Sequence, residues 1–195
     1  MHEVKAEWIE GLASPKAEKR ALGAAEIYRA GRERADSAVG NWWENADLAK
    51  LCGDKPTATV GLAVQPVSFA NIRKANGWPR LAEVPPEQDA CEFELHFAGG
   101  IALDVLTPRE AGGAGAIARF LAKHGEGVQQ VEFRCDDVDR AAAILLEKFG
   151  VLSVYPAKRA GADGSRVNFF LVPAPDETNV LIELYEASAP IATQT

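Results

Sequence analysis

The sequence of 195 residues contains few sulfur and imidazole side chains, with three cysteines, one methionine and three histidines. Cys52, Cys91 and Cys135 are odd in number and far apart, which argues against a disulfide framework and against a CxxC metal or redox motif. We therefore expect them to be small buried hydrophobic side chains of a cytoplasmic protein, because thiols stay reduced in that compartment.

Long hydrophobic runs and an excess of positive charge are also missing. No apolar stretch approaches the ~20 residues of a membrane-spanning helix, and the N-terminus lacks the pattern of a secretory signal. The 21 basic and 28 acidic residues give a net charge of −7, which excludes the positive field that attracts nucleic acid or anionic membranes. With 47% hydrophobic residues the chain is globular, and a small molecule is the expected partner.

The first 55 residues are predicted to be helical. Ser14 followed by Pro15 is typical of a helix start, and apolar residues recur at helical spacing over 17–32. A second short helix is predicted to begin near Asn41, where Asn41 and Glu44 have the spacing of a capping box, and to end at Gly53.

Two adjacent tryptophans, Trp42 and Trp43, lie in that second predicted helix. Neighbouring helical side chains point ~100° apart, so both cannot face one core. We expect both to pack within the protein, one of them on the following domain; a contact between subunits or a ligand platform is the alternative for the other. An interaction protein that dimerises through these helices is one hypothesis for the chain.

After residue 56 the pattern becomes a strand–helix–strand–strand–strand unit that occurs twice. Residues 59–64 align with 130–135, and residues 101–106 align with 180–185. An internal repeat of this kind determines the expected fold more strongly than local propensity does. The strand over 91–97 alternates strictly, and the Gly99-Gly100 turn is predicted to pair Leu95 with Asp104, which places His96 away from the cleft.

Five short motifs carry a family resemblance. They are EQDA at 87–90, DVLTP at 104–108, AIARFL at 116–121, GEGVQQVEF at 125–133 and LIEL at 181–184. Together they resemble methylmalonyl-CoA epimerases, a family of the vicinal oxygen chelate (glyoxalase/bleomycin-resistance) superfamily. The resemblance implies an α+β fold in which two βαβββ modules form a half-open barrel. It divides the chain into a helical extension (1–55), a domain (56–187, with modules 57–108 and 126–187 and a linker helix 115–125) and a tail (188–195).

The resemblance also implies a divalent metal ion (Mg, Mn, Co, Ni or Zn) in the cleft. The matching ligand positions are Thr59, Asp104, Gln130 and Glu183. The family pattern has histidine where this chain has Thr59 and Gln130, and a neutral threonine is a poor ligand for a divalent transition metal. Two carboxylates and an amide oxygen suit a hard ion such as Mg, Mn or Ca, and a metal-free remnant of the site is the alternative.

Strand alternation places two further charged side chains in the cleft. If Gln130 points inward, so do Glu132 and Arg134. Buried charges need partners, because an isolated one costs several kcal/mol of desolvation. One interpretation is a salt-bridge network that fills the space of a lost metal. In the other, Arg134 and Gln130 bind substrate and Glu132 moves a proton.

The predicted reaction is proton transfer next to a carbonyl. The resemblance places the acid/base glutamate at Glu87, and Glu183 and Glu132 are the other catalytic candidates. A coenzyme A thioester is the expected substrate, for which a basic stretch near 158–166 offers weak support, and a homodimer is expected. An isomerase or lyase is thus predicted, and a metal-free, non-catalytic protein that binds a small ligand is the alternative.

Overall fold

The computed structural model describes residues 4–110 and 112–187, so the predicted tail at 188–195 and His2 lie outside the described residues. Its strands are β1 (Ala58–Ala63), β2 (Ala90–Phe97), β3 (Ile101–Pro108), β4 (Gly127–Arg134), β5 (Arg159–Ala160), β6 (Arg166–Pro173) and β7 (Asn179–Glu186). Its helices are α1 (Ala6–Leu12), α2 (Ala17–Val39), α3 (Ala46–Cys52), α4 (Pro66–Ala75), α5 (Ala116–His124) and α6 (Val138–Phe149). The predicted α+β class is confirmed.

The seven strands form one curled sheet in the order β2-β3-β1-β4-β7-β6-β5. The two first strands of the modules, β1 and β4, lie antiparallel at its centre, and each pairs in parallel with the last strand of its own module. In the second module the strand after the helix is only the two-residue β5. In the first module residues 79–85 occupy the position equivalent to β5 but do not form a strand. The backbone N–H of Ala82 donates to the carbonyl oxygen of Glu92 on β2 (3.0 Å).

Strand alternation separates a core face from a concave face. Val60 and Leu62 of β1, and Val131 and Phe133 of β4, belong to the main hydrophobic core. Helix α2 crosses this convex face and contacts β1, β3, β4, β6 and β7. Among the described residues, no helix is long and apolar enough to cross a bilayer.

Helix α2 approaches β1 closely at Gly31. A methyl group added at Gly31 would lie 2.6 and 2.9 Å from the two methyl carbons of Val60. These distances are shorter than van der Waals contact, so only glycine lets this helix lie against the sheet.

Gly31→Ala is therefore expected to lower the free energy of unfolding by about 2 kcal/mol, measured by urea unfolding. The clash outweighs the gain of up to ~1 kcal/mol in helix propensity. In a Val60→Ala background the same change should become neutral or stabilising. Stabilisation by Gly31→Ala in the unmodified chain would show that α2 does not pack on β1 at this point.

The predicted cap at Asn41 was wrong. Helix α3 begins after Asn45, whose side chain accepts hydrogen bonds from the backbone N–H groups of Asp47 and Leu48 (3.1 and 3.0 Å). Helix α2 continues past the predicted residue 32 to Val39. The end of α3 at Gly53 is as predicted.

Both tryptophans pack inside the protein. They lie in a 3-10 turn at Trp42–Glu44 rather than in an α-helix. The Trp42 ring lies 6.3 Å from both Phe149 and Phe170, and the Trp43 ring lies 5.0 Å from Phe133. Trp42 is buried and Trp43 is half-buried against the core, so packing accounts for both rings, and a subunit contact by Trp43 stays a prediction.

The register of the β2–β3 hairpin differs from the prediction by one residue. Its loop has three residues, since Phe97 pairs with Ile101, and this places Glu94 rather than Leu95 opposite Asp104. A shift of one residue moves every side chain of a strand to the other face. Glu94 and His96 therefore lie on the same face as Asp104, where the prediction placed them on the opposite face, and their side chains are 3.0 Å apart.

Candidate functional site

A cavity of about 640 Å³ lies on the concave face of the sheet and is lined by residues of both modules. Its charged lining is strongly acidic, with seven carboxyl side chains and two arginines. The acidic residues are Glu87, Glu92, Glu94, Asp104, Glu132, Asp163 and Glu183, and the basic ones are Arg119 and Arg159.

The register of the central strands positions the floor of this cavity. Gly61 on β1 is paired with Asp104 on one side and with Gln130 on the other. A methyl group added at Gly61 would lie 2.5 Å from Cγ of Gln130. Gly61 thus leaves the space in which the Gln130 side chain lies over β1.

Gln130 connects two buried glutamates. Its amide nitrogen donates to Oε1 of Glu132 (3.0 Å) and to Oε2 of Glu183 (2.7 Å). Glu132 and Glu183 are neighbours on β4 and β7, and each is only 8% exposed. One amide therefore supplies both carboxyl groups with a hydrogen bond at the centre of the sheet.

The buried carboxyl groups hold their protons more tightly than exposed ones. Burial raises the pKa of Glu132 to about 8, although the hydrogen bond from Gln130 opposes the shift. Burial, with the charge of Asp163 next in importance, raises the pKa of Glu92 to about 7. Burial and neighbouring glutamates also raise the pKa of Asp104 and of Glu183 well above the ordinary range. With a pKa of about 8, Glu132 is the group that these shifts leave mainly protonated at neutral pH.

The expected metal ligands are brought together only in part. Asp104, Gln130 and Glu183 line the cavity, whereas Thr59 is buried opposite Glu132 and lies outside the lining. No three His, Cys, Asp or Glu side chains in 4–110 and 112–187 are arranged to hold a metal ion. The Gln130 amide also directs its N–H groups at Glu132 and Glu183, where a metal would need its oxygen.

The residues present therefore do not fit the divalent metal that the resemblance implies. A metal bound by carboxylates and amide oxygens needs donors that converge on one point at 2.0–2.6 Å. The chemistry of the cavity is accordingly derived from its own side chains. That relatives carry histidine at the positions of Thr59 and Gln130 stays a prediction.

Glu87 lies at the cavity on a short 3-10 turn, Pro86–Gln88. The next side chain, Gln88, donates to the carbonyl oxygen of Ala160 (2.8 Å), which ties this turn to β5 of the other module. Glu87 is exposed and lines the cavity with Glu183, so the predicted pair of carboxyl groups shares one cavity.

The basic residues are arranged differently from the sequence expectation. Arg134 is exposed at the end of β4 and lies outside the cavity lining, and Lys158 is bound to Glu186 (3.0 Å). Arg166 also lies outside the lining. Of the predicted basic stretch only Arg159 lines the cavity, with its guanidinium 4.4 Å from the ring centre of Tyr155.

Sequence reasoning missed Glu92, Glu94 and Arg119 as residues of the site. The two glutamates were assigned to the wrong face because the hairpin loop was predicted with two residues instead of three. The strict alternation of β2 was the available signal, since it places Glu92 and Glu94 on one face whatever the register. Arg119 lies in the predicted linker helix and carries no signal of its own.

Similar solved structures include several methylmalonyl-CoA epimerases. The one from Mycobacterium tuberculosis is 30% identical, covers 72% of this chain and 91% of its own, and has a TM-score of 0.57. A methylmalonyl-CoA epimerase in complex with methylmalonyl-CoA and NH4+ is 30% identical over 71% of this chain and 96% of its own, with a TM-score of 0.55. A variant of the Streptomyces coelicolor enzyme in complex with 2-nitronate-propionyl-CoA is 29% identical over 69% and 99%, with a TM-score of 0.54. No protein-family model and no curated protein matches the chain.

A curled sheet built from two copies of one module, with a cavity on its concave face, defines a protein of the vicinal oxygen chelate superfamily. Strands β2 to β7 line that cavity, and three of the four positions that the resemblance implies, Asp104, Gln130 and Glu183, are in the lining. Within the superfamily, the chain belongs to the family of proteins that resemble methylmalonyl-CoA epimerases. Helices α1, α2 and α3 precede β1 and belong to neither module.

Proposed function

We propose that the protein is an isomerase that moves the proton on the carbon next to the carbonyl of a coenzyme A thioester. The observation that supports this most strongly is the cluster of buried carboxyl groups, with raised pKa values, in the cavity that also contains Glu87. A group whose pKa lies near the working pH transfers protons most efficiently. The relatives of known structure with bound thioesters support the substrate class.

The two proton-transfer groups are proposed to be Glu87 and Glu183. Inversion at a carbon needs one group that removes the proton from one face and another that returns a proton to the other face. Glu87 approaches from the turn before β2, and Glu183 from β7 in the other module. In one direction Glu87 accepts the substrate proton while protonated Glu183 donates its own, and in the reverse direction the roles exchange.

Glu132 is proposed to stabilise the enolate. Its pKa of about 8 keeps the carboxyl group protonated at neutral pH. A neutral acid in a buried site can donate a hydrogen bond to an enolate oxygen, as a backbone N–H does in an oxyanion hole. Gln130 holds Glu132 in place through its amide, and is the proposed positioning residue.

Arg119 and Arg159 are proposed to bind the phosphates of coenzyme A. They are the two arginines of the lining, on α5 and β5, and phosphates favour arginine because its planar donors match phosphate oxygens. The assignment of Arg134 to the substrate is not retained, since its exposed side chain lies outside the cavity. The homodimer and the cytoplasmic location stay predictions.

The proposed activity is tested with a 2-methyl-branched thioester of one configuration at C2, in deuterated water with a metal chelator. We expect the substrate to become a mixture of both configurations, which chiral chromatography detects. We also expect one deuterium to be incorporated at that carbon, which mass spectrometry detects. Tight binding of thioesters without exchange would instead support a non-catalytic ligand-binding protein.

A further inference from the structure

Three acidic side chains of the β2–β3 hairpin take no part in the proposed proton transfer. They are Glu92, Glu94 and Asp104, and all three line the cavity. Glu94 and Asp104 are directly opposite each other in the antiparallel pair. Two carboxylates in that position repel each other, which favours their protonated forms until a cation binds between them and stabilises the ionised forms.

Asp104 lacks the partner that such a buried group requires. It is 6% exposed, and its Oδ1 atom has no hydrogen-bond partner among the residues that the structure describes. Within the described chain neither Asp104 nor Glu92 forms an ion pair with a basic side chain. A buried polar atom without a partner costs about 1–3 kcal/mol, which a ligand that donates to it would recover.

The chemistry of the group decides which ligand fits. The side chains are not arranged for metal coordination, as described above for residues 4–110 and 112–187. A primary ammonium group has three N–H donors and can donate each of them to a different carboxylate oxygen, which suits separate carboxylates on two strands. A second carboxylate on the substrate would face these three acidic side chains, whereas the two arginines of the lining lie on α5 and β5.

We propose that Glu92, Glu94 and Asp104 bind an ammonium group on the acyl part of the substrate. The substrate is then an amino-acyl thioester, and not one whose acyl group ends in a carboxylate. The thioester in this inference rests on the proposed function, whereas the ammonium subsite stands on the hairpin geometry alone.

Three thioesters of matched shape test the proposal. They are 3-amino-2-methylpropanoyl-CoA, 2-methylbutanoyl-CoA and methylmalonyl-CoA, in which C3 carries an ammonium group, carries a methyl group, and is itself the carboxylate carbon, respectively. Calorimetry with a chelator present is expected to give binding of the ammonium compound at least about tenfold tighter than that of the neutral one, with the carboxylate compound weakest. Glu92→Gln and Asp104→Asn should each bring the ratio of ammonium to neutral affinity close to one. Glu83→Gln, an exposed change outside the cavity, should leave that ratio unchanged.

The outcomes separate the two proposals. Tighter binding of the ammonium compound without exchange of its 2-proton would support the subsite and contradict the proposed isomerase. Exchange in all three compounds with equal affinities would support the isomerase and overturn the subsite. Binding of Mn2+ alone that depends on Asp104, in chelator-free buffer, with no preference for the ammonium compound, would also overturn it.

Discussion

Glu87→Gln is expected to lower the rate of α-proton exchange by about 10²- to 10⁴-fold, the usual contribution of a general acid or base. The amide keeps the shape of the side chain but cannot accept the proton. Because Glu87 is exposed on a surface turn, the variant should unfold at the same urea concentration as the unmodified protein. Exchange is measured by deuterium incorporation under saturating thioester.

Glu83→Gln is the matched control, since Glu83 is also exposed and lies four residues earlier on the same loop, outside the cavity. We expect exchange by this variant at the rate of the unmodified protein. Equal rates for Glu83→Gln and Glu87→Gln would exclude Glu87 as a catalytic residue. Thioester affinity should change little in either variant, because neither removes a proposed phosphate ligand.

The protein is expected to lose stability as the pH rises from about 5 to about 8.5, by roughly 10 °C in Tm. An unfolded glutamate has its ordinary pKa, whereas folding raises that of Glu92 to about 7 and that of Glu132 to about 8. Between the unfolded and folded pKa values the native state binds more protons than the unfolded state. The stabilisation is therefore complete below about pH 4.5 and is lost as the pH passes the folded values.

Glu132→Gln removes one of these titrations and is expected to flatten the pH dependence and to raise Tm above about pH 8. Glu110→Gln, an exposed change outside the cavity, should leave the dependence as it is. Calorimetric or fluorescence melting over this range provides the measurement. A Tm that rises or stays constant between the two pH values would mean that the cavity carboxyls are ionised in the folded protein.

The resemblance to the epimerase family implied that Asp104, Gln130 and Glu183 share one cavity, and all three line it. Strand alternation indicates which residues share a face, and the internal repeat indicates which strands are equivalent. The spacing within β4 likewise predicted that Glu132 would lie beside Gln130. It could not predict that Arg134, at the strand end, would extend into solvent beyond the cavity.

The hairpin register could not be predicted from its two glycines. Glycines at 99 and 100 are compatible with a loop of two residues and with a loop of three. The two loop lengths differ in which face of β2 lies on the side of Asp104. Glu92 and Glu94 could therefore be assigned to the acidic cavity only once the pairing of β2 with β3 was known. The cap of α3 was missed for a similar reason, because Asn41 and Asn45 are both suitable capping residues and tertiary packing of the tryptophans decides between them.

The N-terminal helices show what helical periodicity leaves undetermined. The spacing of apolar residues in α2 predicts a buried face but not the surface that it covers. Gly31 indicates a close approach only once Val60 is known to lie opposite it. The helices complete the convex core of the sheet, and they act on the cavity only through the strands.

Carbon-13 NMR titration of the side-chain carboxyl groups shows directly whether the cavity holds protons at neutral pH. We predict that the carboxyl resonances of Glu92 and Glu132 titrate at about 7 and about 8, with those of Asp104 and Glu183 also shifted upward. Assignment follows from the loss of one resonance in Glu92→Gln and in Glu132→Gln. Titration of all four groups at the ordinary values of exposed carboxyls, about 4, would contradict a cavity that stores protons at neutral pH.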